Sequence, residues 1–204
     1  MSDEPLPHGI GQVTDYPWNG KVQINIDPEK EINASVAVRI PCWAMNQPLP
    51  GSLYSFSEKA DTLFNLAVNS LNVFYKWVNG YAVITRTWKK GDFIDLVLQM
   101  PVRTVNANAK VKADSDRVCI TRGPLVYCAE GIDHGGKVLN LMINPKETFV
   151  AENRNDLMNG IIGLSGNAYS ADKAKPVVLK AIPYFAWANR GCNEMLVWFR
   201  EKGK

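Results

Sequence analysis

Hydrophobic and polar side chains alternate along most of this chain, the period-two pattern that a half-buried strand requires. Val22, Ile24 and Ile26 alternate with Lys21, Gln23, Asn25 and Asp27 until Pro28 removes a ladder donor and ends the run. Val36, Val38 and Ile40 face one way and Ser35 and Arg39 the other, up to Pro41, which predicts a second strand antiparallel to the first. Asn79-Gly80 introduces Tyr81 to Trp88, and Lys90-Gly91-Asp92 turns the chain into Phe93 to Met100, so this stretch reads as the clearest hairpin. Arg117–Thr121 and Leu125–Cys128 flank Gly123-Pro124 as another hairpin. Leu139 to Ile143, Val177 to Ile182 and Met195 to Phe199 add three more strands. Between Glu147 and Lys175 the chain is polar and rich in Asn, Gly and Ala, which predicts a long connection holding one short strand at Ile161–Leu164.

One segment breaks the pattern. Leu63, Ala67, Leu71 and Phe74 follow helical spacing within Asp61–Trp77, and periodicity alone leaves helix and strand tied there. No internal repeat or Gly/Ser linker marks a boundary, so the division is placed at Pro101, giving domains 1–101 and 102–204. The predicted fold is all-β: two tandem antiparallel β-sandwich, jelly-roll-like domains.

Composition narrows the function. The 204 residues are 46% hydrophobic and 21% charged, as in a globular protein that buries a real core. The 23 basic and 20 acidic residues are scattered, so no cationic stripe addresses nucleic acid or an anionic membrane. No apolar run approaches the roughly 20 residues of a membrane helix. MSDEPLPHGIGQ reads as neither leader nor anchor, and the chain is expected to be soluble.

Candidate chemistry is sparse. Cys42, Cys119, Cys128 and Cys192 form no C-x-x-C pair and read as inert interior residues. If Gly123-Pro124 is a two-residue turn, Cys119 and Cys128 face each other at a separation compatible with a disulfide. His8 and His134 are flanked by glycines and read as mobile, solvent-exposed loop residues, not metal ligands. Glu130 and Asp133 bracket a turn and are read as solvated, although paired carboxylates about 5–9.5 Å apart could act on a glycoside. No catalytic, cofactor-binding or metal residue is assigned, and no cofactor is expected. The surplus lies in aromatics, including six tryptophans, whose first reading is core packing. Tyr184 to Gly191 fits the core least, since its rings do not alternate and it ends in a cation and a glycine. Tyr184, Trp187 and Arg190, with Trp43, are therefore the candidate interface or sugar contacts.

Several motifs, in order, resemble the C-terminal part of glycoside hydrolase family 127, the β-L-arabinofuranosidase-like enzymes of bacteria. They are Thr14-Asp15-Tyr16-Pro17-Trp18, Arg39-Ile40-Pro41 with Trp43-Ala44, Trp88-Lys89-Lys90-Gly91-Asp92, Met100-Pro101-Val102-Arg103, Arg122 to Cys128, and Ala181 to Gly191. The resemblance implies a parent with a helical (α/α)6 catalytic barrel followed by two β-sandwiches, of which this chain corresponds to the sandwiches. It places the catalytic acid and the cysteine–zinc site on the barrel, so no catalytic role carries over. It also leaves Ser70 where the family has glycine, and favours strands over helix in Asp61–Trp77. The expected role is a non-catalytic accessory region that supports the barrel and pairs subunits, in a bacterial cytoplasm or periplasm. The alternative is an autonomous carbohydrate-binding module. Expected partners are the parent's barrel, a second copy of the chain, or a plant-derived oligosaccharide.

Overall fold

The computed structural model describes residues 9–170 and 173–203. It is all-β with antiparallel sheets, and its only helical elements among the described residues are short 3-10 turns. The backbone gathers into two compact units: residues 9–45 with 60–100, and residues 46–59 with 101–203.

The first unit holds two sheets. One has the strand order Gly9–Thr14, Lys21–Asp27, Asp92–Leu98, Phe64–Val68 and Leu71–Asn72. The other has Ile32–Arg39, Tyr81–Trp88 and Lys76–Val78. Each sheet buries one face, Val22, Leu66 and Leu96 from the first and Val38, Ile84 and Trp88 from the second. The two stretches read as the clearest hairpin, Tyr81–Trp88 and Asp92–Leu98, pair with different neighbours and lie in opposite sheets. The first two predicted strands are likewise separated. Period two reports which side of a strand is buried and is silent on its partner, so a crossing turn and a hairpin look alike in sequence.

Asp61–Trp77 is not helical. It contains the strands Phe64–Val68, Leu71–Asn72 and Lys76–Val78. Asn69 and Ser70 both take positive φ, 50° and 65°, in the tight turn joining the first two. The Asn69 amide donates to Asp92 Oδ1 at 2.8 Å and its carbonyl oxygen accepts from the Phe93 N–H at 3.0 Å. Side-chain bonds to the neighbouring strand thus override a helical spacing of apolar residues.

In the second unit six strands close a ring: Arg117–Arg122, Leu125–Glu130, Lys173–Pro183, Ile161–Ser170, Leu141–Ile143 and Trp198–Glu201. The pairing of Leu141–Ile143 with Trp198–Glu201 is parallel. The ring encloses Ile120, Tyr127, Ile143, Leu164, Leu179 and Phe199. Tyr54–Phe56 joins it as an edge strand against Val102–Ala107. Arg103 clasps that segment, donating through Nη2 to Asn46 Oδ1 and to the Glu58 carbonyl, both at 2.7 Å, with its guanidinium over the Phe56 ring.

The stretch expected to be a long connection is instead mostly strand. Val150–Arg154, Ile161–Ser170 and Lys173–Pro183 form consecutive antiparallel pairs. Ile161 and Leu164 are buried as their short apolar run indicates, but further along the strand the inward positions hold the small or polar Ala168 and Ser170, so backbone pairing persists where hydropathy shows no alternation. Gly166 has to be glycine, since a Cβ there would lie 2.5 Å from Phe149 Cδ1.

Candidate functional site

The most organised surface feature is the segment that follows the Lys173–Pro183 strand. Pro183 ends the ladder and a 3-10 turn over Tyr184–Ala186 begins. The Trp187 N–H returns to the Tyr184 carbonyl at 3.1 Å, which closes the turn and brings two rings together. The Tyr184 and Trp187 rings lie with centroids 6.3 Å apart and planes within 6° of parallel. Tyr184 is 47% exposed, Phe185 52% and Trp187 38%, so three aromatic side chains stand at the surface. Ala186, between them, is buried and pins the turn.

Beneath the turn lies an ion-pair network. Arg190 donates to Glu130 through Nε at 3.2 Å and Nη2 at 2.5 Å, and to Asp133 through Nη1 at 3.0 Å and Nη2 at 2.5 Å. Glu130 Oε1 accepts from the Ala188 N–H at 3.0 Å, and Ala188 takes a φ of 65° to reach it. Glu130 is 1% exposed. It is therefore a buried, fully partnered anion and not the solvated turn residue that sequence suggested. Burial alone would raise the Asp133 carboxyl, but the Arg190 hydrogen bonds and charge hold it below its ordinary value. Arg190 is correspondingly held as a cation more firmly than usual, first through its bond to Asp133.

His134 is not the mobile, exposed histidine expected from its glycine neighbours. Its Nδ1 lies 2.8 Å from the Glu130 carbonyl, and its Nε2 accepts the Lys180 N–H at 3.1 Å. Because Nε2 accepts, the proton sits on Nδ1 and donates to the carbonyl. His8 lies outside the described residues.

The remaining candidates sit elsewhere. Trp43 belongs to the first unit, in the 3-10 turn Cys42–Met45, and is only 8% exposed. The four cysteines are free. The Cys119 and Cys128 strands run in register from Arg122↔Leu125 to Ile120↔Tyr127, then diverge: Cys119 pairs with Trp198 and Cys128 with Ile182, so they form no disulfide. Burial pushes the Cys119 and Cys128 thiols up to about 12, so neither supplies a thiolate. Cys192 is exposed and Cys42 half-buried, unlike the interior placement expected of all four. Among the described residues no group of three His, Cys, Asp or Glu side chains could hold a metal ion, and no helix is long and apolar enough to cross a membrane.

Two family models divide the chain between them. Residues 8–100 match the β-L-arabinofuranosidase GH127 middle domain, and residues 102–200 match the glycoside hydrolase family 127 C-terminal domain. The chain belongs to glycoside hydrolase family 127. Among family 127 relatives, the non-reducing end β-L-arabinofuranosidase of Bifidobacterium longum subsp. longum is 27% identical, over 94% of this chain and 30% of its own length. A solved GH127 β-arabinofuranosidase superposes with a TM-score of 0.87 at 36% identity, covering 95% of this chain and 31% of that one. A GH127 β-L-arabinofuranosidase from Geobacillus stearothermophilus T6 gives 0.82 at 32% identity, covering 95% and 30%. The chain thus spans about 30% of the length of the curated family 127 relative it matches.

Proposed function

We propose that this chain is a non-catalytic accessory region of a family 127 glycoside hydrolase. Its parent acts on β-L-arabinofuranosides or related plant glycans in a bacterial cytoplasm or periplasm. The Tyr184–Gly191 segment is the face that meets the parent's catalytic domain or a second subunit. The observation that carries this reading is the rigid aromatic turn: Tyr184, Phe185 and Trp187 at the surface, held from below by Glu130, Asp133 and Arg190. Exposed rings on a pre-ordered scaffold lose little entropy on docking and bury a large area, which is how interface anchors work. Glu130 and Asp133 neutralise one arginine and leave no free acid–base pair, which supports a role in scaffolding. Light scattering on the chain tests this. Concentration-dependent self-association that disappears in a Tyr184→Ser/Trp187→Ser variant supports a docking face. A strict monomer at high concentration in both proteins argues against one.

The near-parallel Tyr184 and Trp187 planes also favour a second reading, a carbohydrate-binding module that stacks sugar C–H faces on them. Titration with arabinan and arabinose-containing oligosaccharides, followed by tryptophan fluorescence, separates the two. Saturable quenching lost in Trp187→Ala supports the module, and a flat response supports docking.

A further inference from the structure

The outer face of the five-stranded sheet in the first unit carries a cleft of about 530 Å³, far in sequence from the aromatic turn. Such a volume falls within the roughly 300–1,000 Å³ of small-ligand sites. The register fixes its floor. Val13, Gln23, Asp95 and Ala67 lie in one row across four strands, and Lys21, Val97 and Asn65 form a second row two residues along. Directly opposed residues share a face. These rows therefore back onto the buried Val22–Leu96–Leu66 row, which faces the core.

The floor alternates in chemistry as well as in space. Amides, a carboxylate and an ammonium sit beside the small apolar side chains Val13, Val97 and Ala67. Asp15 and Asn19 form one wall and Ser70 lies on the other. Asn19 is fixed there, donating to Asp15 Oδ2 at 3.2 Å and accepting the Lys21 N–H at 2.9 Å. Gln23 donates to Asp95 Oδ1 at a long 3.4 Å. Among the described residues the side chains of Asn65, Ser70 and Lys21 are bonded to no protein group, and so remain free to bond a ligand. Two carboxylates against one ammonium exclude a phosphate, which needs net positive charge, and provide too few carboxylates for a bare divalent cation. A neutral polyhydroxylated ring matches: hydroxyl edges need donors and acceptors together, and C–H faces need small apolar contacts.

We infer that this sheet face is a saccharide-binding cleft, with Gln23, Asp95, Asn65 and Lys21 bonding the hydroxyls of a neutral oligosaccharide. The site is independent of the docking role proposed for Tyr184–Gly191.

Amide-correlation NMR of the full chain provides the test, using linear arabino-, xylo- and cello-oligosaccharides as probes. The expected result is saturable shifts at Val13, Lys21, Gln23, Asn65 and Asp95 with at least one probe, at a Kd on the order of millimolar, as an open polar cleft supports. A Gln23→Ala/Asn65→Ala variant, altered only at exposed side chains, weakens that binding about tenfold or more, the loss of roughly one good hydrogen bond. Trp187→Ala leaves it unchanged. Three results would overturn the inference: no saturable shift with any probe, shifts confined to residues 184–191, or binding that survives the double variant.

Discussion

Arg190 grips Glu130 with two guanidinium nitrogens and simultaneously turns its other edge to Asp133. Glu130 ends a ring strand and Asp133 lies in the turn after it, while Arg190 follows the exposed aromatic rings, so one side chain ties the surface turn to the barrel-like ring. A planar fork suits this geometry and a lysine does not.

Arg190→Ala leaves a carboxylate with 0% side-chain exposure without its cation. The expected cost is about 3 kcal/mol, in line with breaking a buried pair. Arg190→Lys recovers only part of it. Urea unfolding checks both, and near-UV circular dichroism should show the Trp187 environment lost in the alanine variant.

The same network sets an acid limit. Asp133 titrates below its ordinary value of 3.8, so its unfolded form binds protons first as pH falls. Its contribution is complete above about pH 4 and is lost as pH drops through the lower folded value. Asp92 is shifted in the same direction, its bonds to Asn69 and the Lys89 N–H and the charge of Arg86 outweighing burial. Comparing Tm against pH for the wild type and Asp133→Asn isolates the Arg190 partner: the variant should be less stable at neutral pH and lose less below pH 4.

Ser70 holds a φ of 65° in a two-residue turn that prefers Asn-Gly. Ser70→Gly relieves that strain and should raise stability by about 0.5–1 kcal/mol, after the greater freedom of glycine in the unfolded chain is offset. Thermal unfolding reads this directly, and a drop in Tm would show that the Ser70 side chain stabilises the turn.

Cys192 is exposed, while the Cys119 and Cys128 thiols are buried and held protonated to about pH 12. A thiol reagent at pH 8 should modify Cys192 fast and Cys119 and Cys128 only after unfolding, at which point all four react. Fewer than four thiols in unreduced, unfolded protein would reveal a disulfide.

The faces of strands were legible in the sequence, and their neighbours only at the hairpin across Gly123-Pro124, where Arg117–Arg122 pairs with Leu125–Glu130 as expected. Ala82, Ile84 and Trp88 are buried as their alternation indicates, yet their strand pairs with Ile32–Arg39 and not with the strand that follows it. Strands are read at Ile161–Leu164 and Val177–Ile182, but the continuation of the first to Ser170 was hidden because Gly166 and Ala168 occupy sites where bulkier residues would have signalled a strand. At the surface turn, Tyr184, Trp187 and Arg190 stood out by failing to alternate. Glu130 reads as a solvated turn residue, because its burial and pairing depend on an arginine 60 residues away.

Hydrolysis of an aryl β-L-arabinofuranoside by the purified chain alone tests the accessory role most directly. The expected result is release of the aryl alcohol no faster than in buffer, with or without added zinc. Saturable hydrolysis in proportion to protein, abolished by Glu130→Gln while the fold is retained, would contradict it.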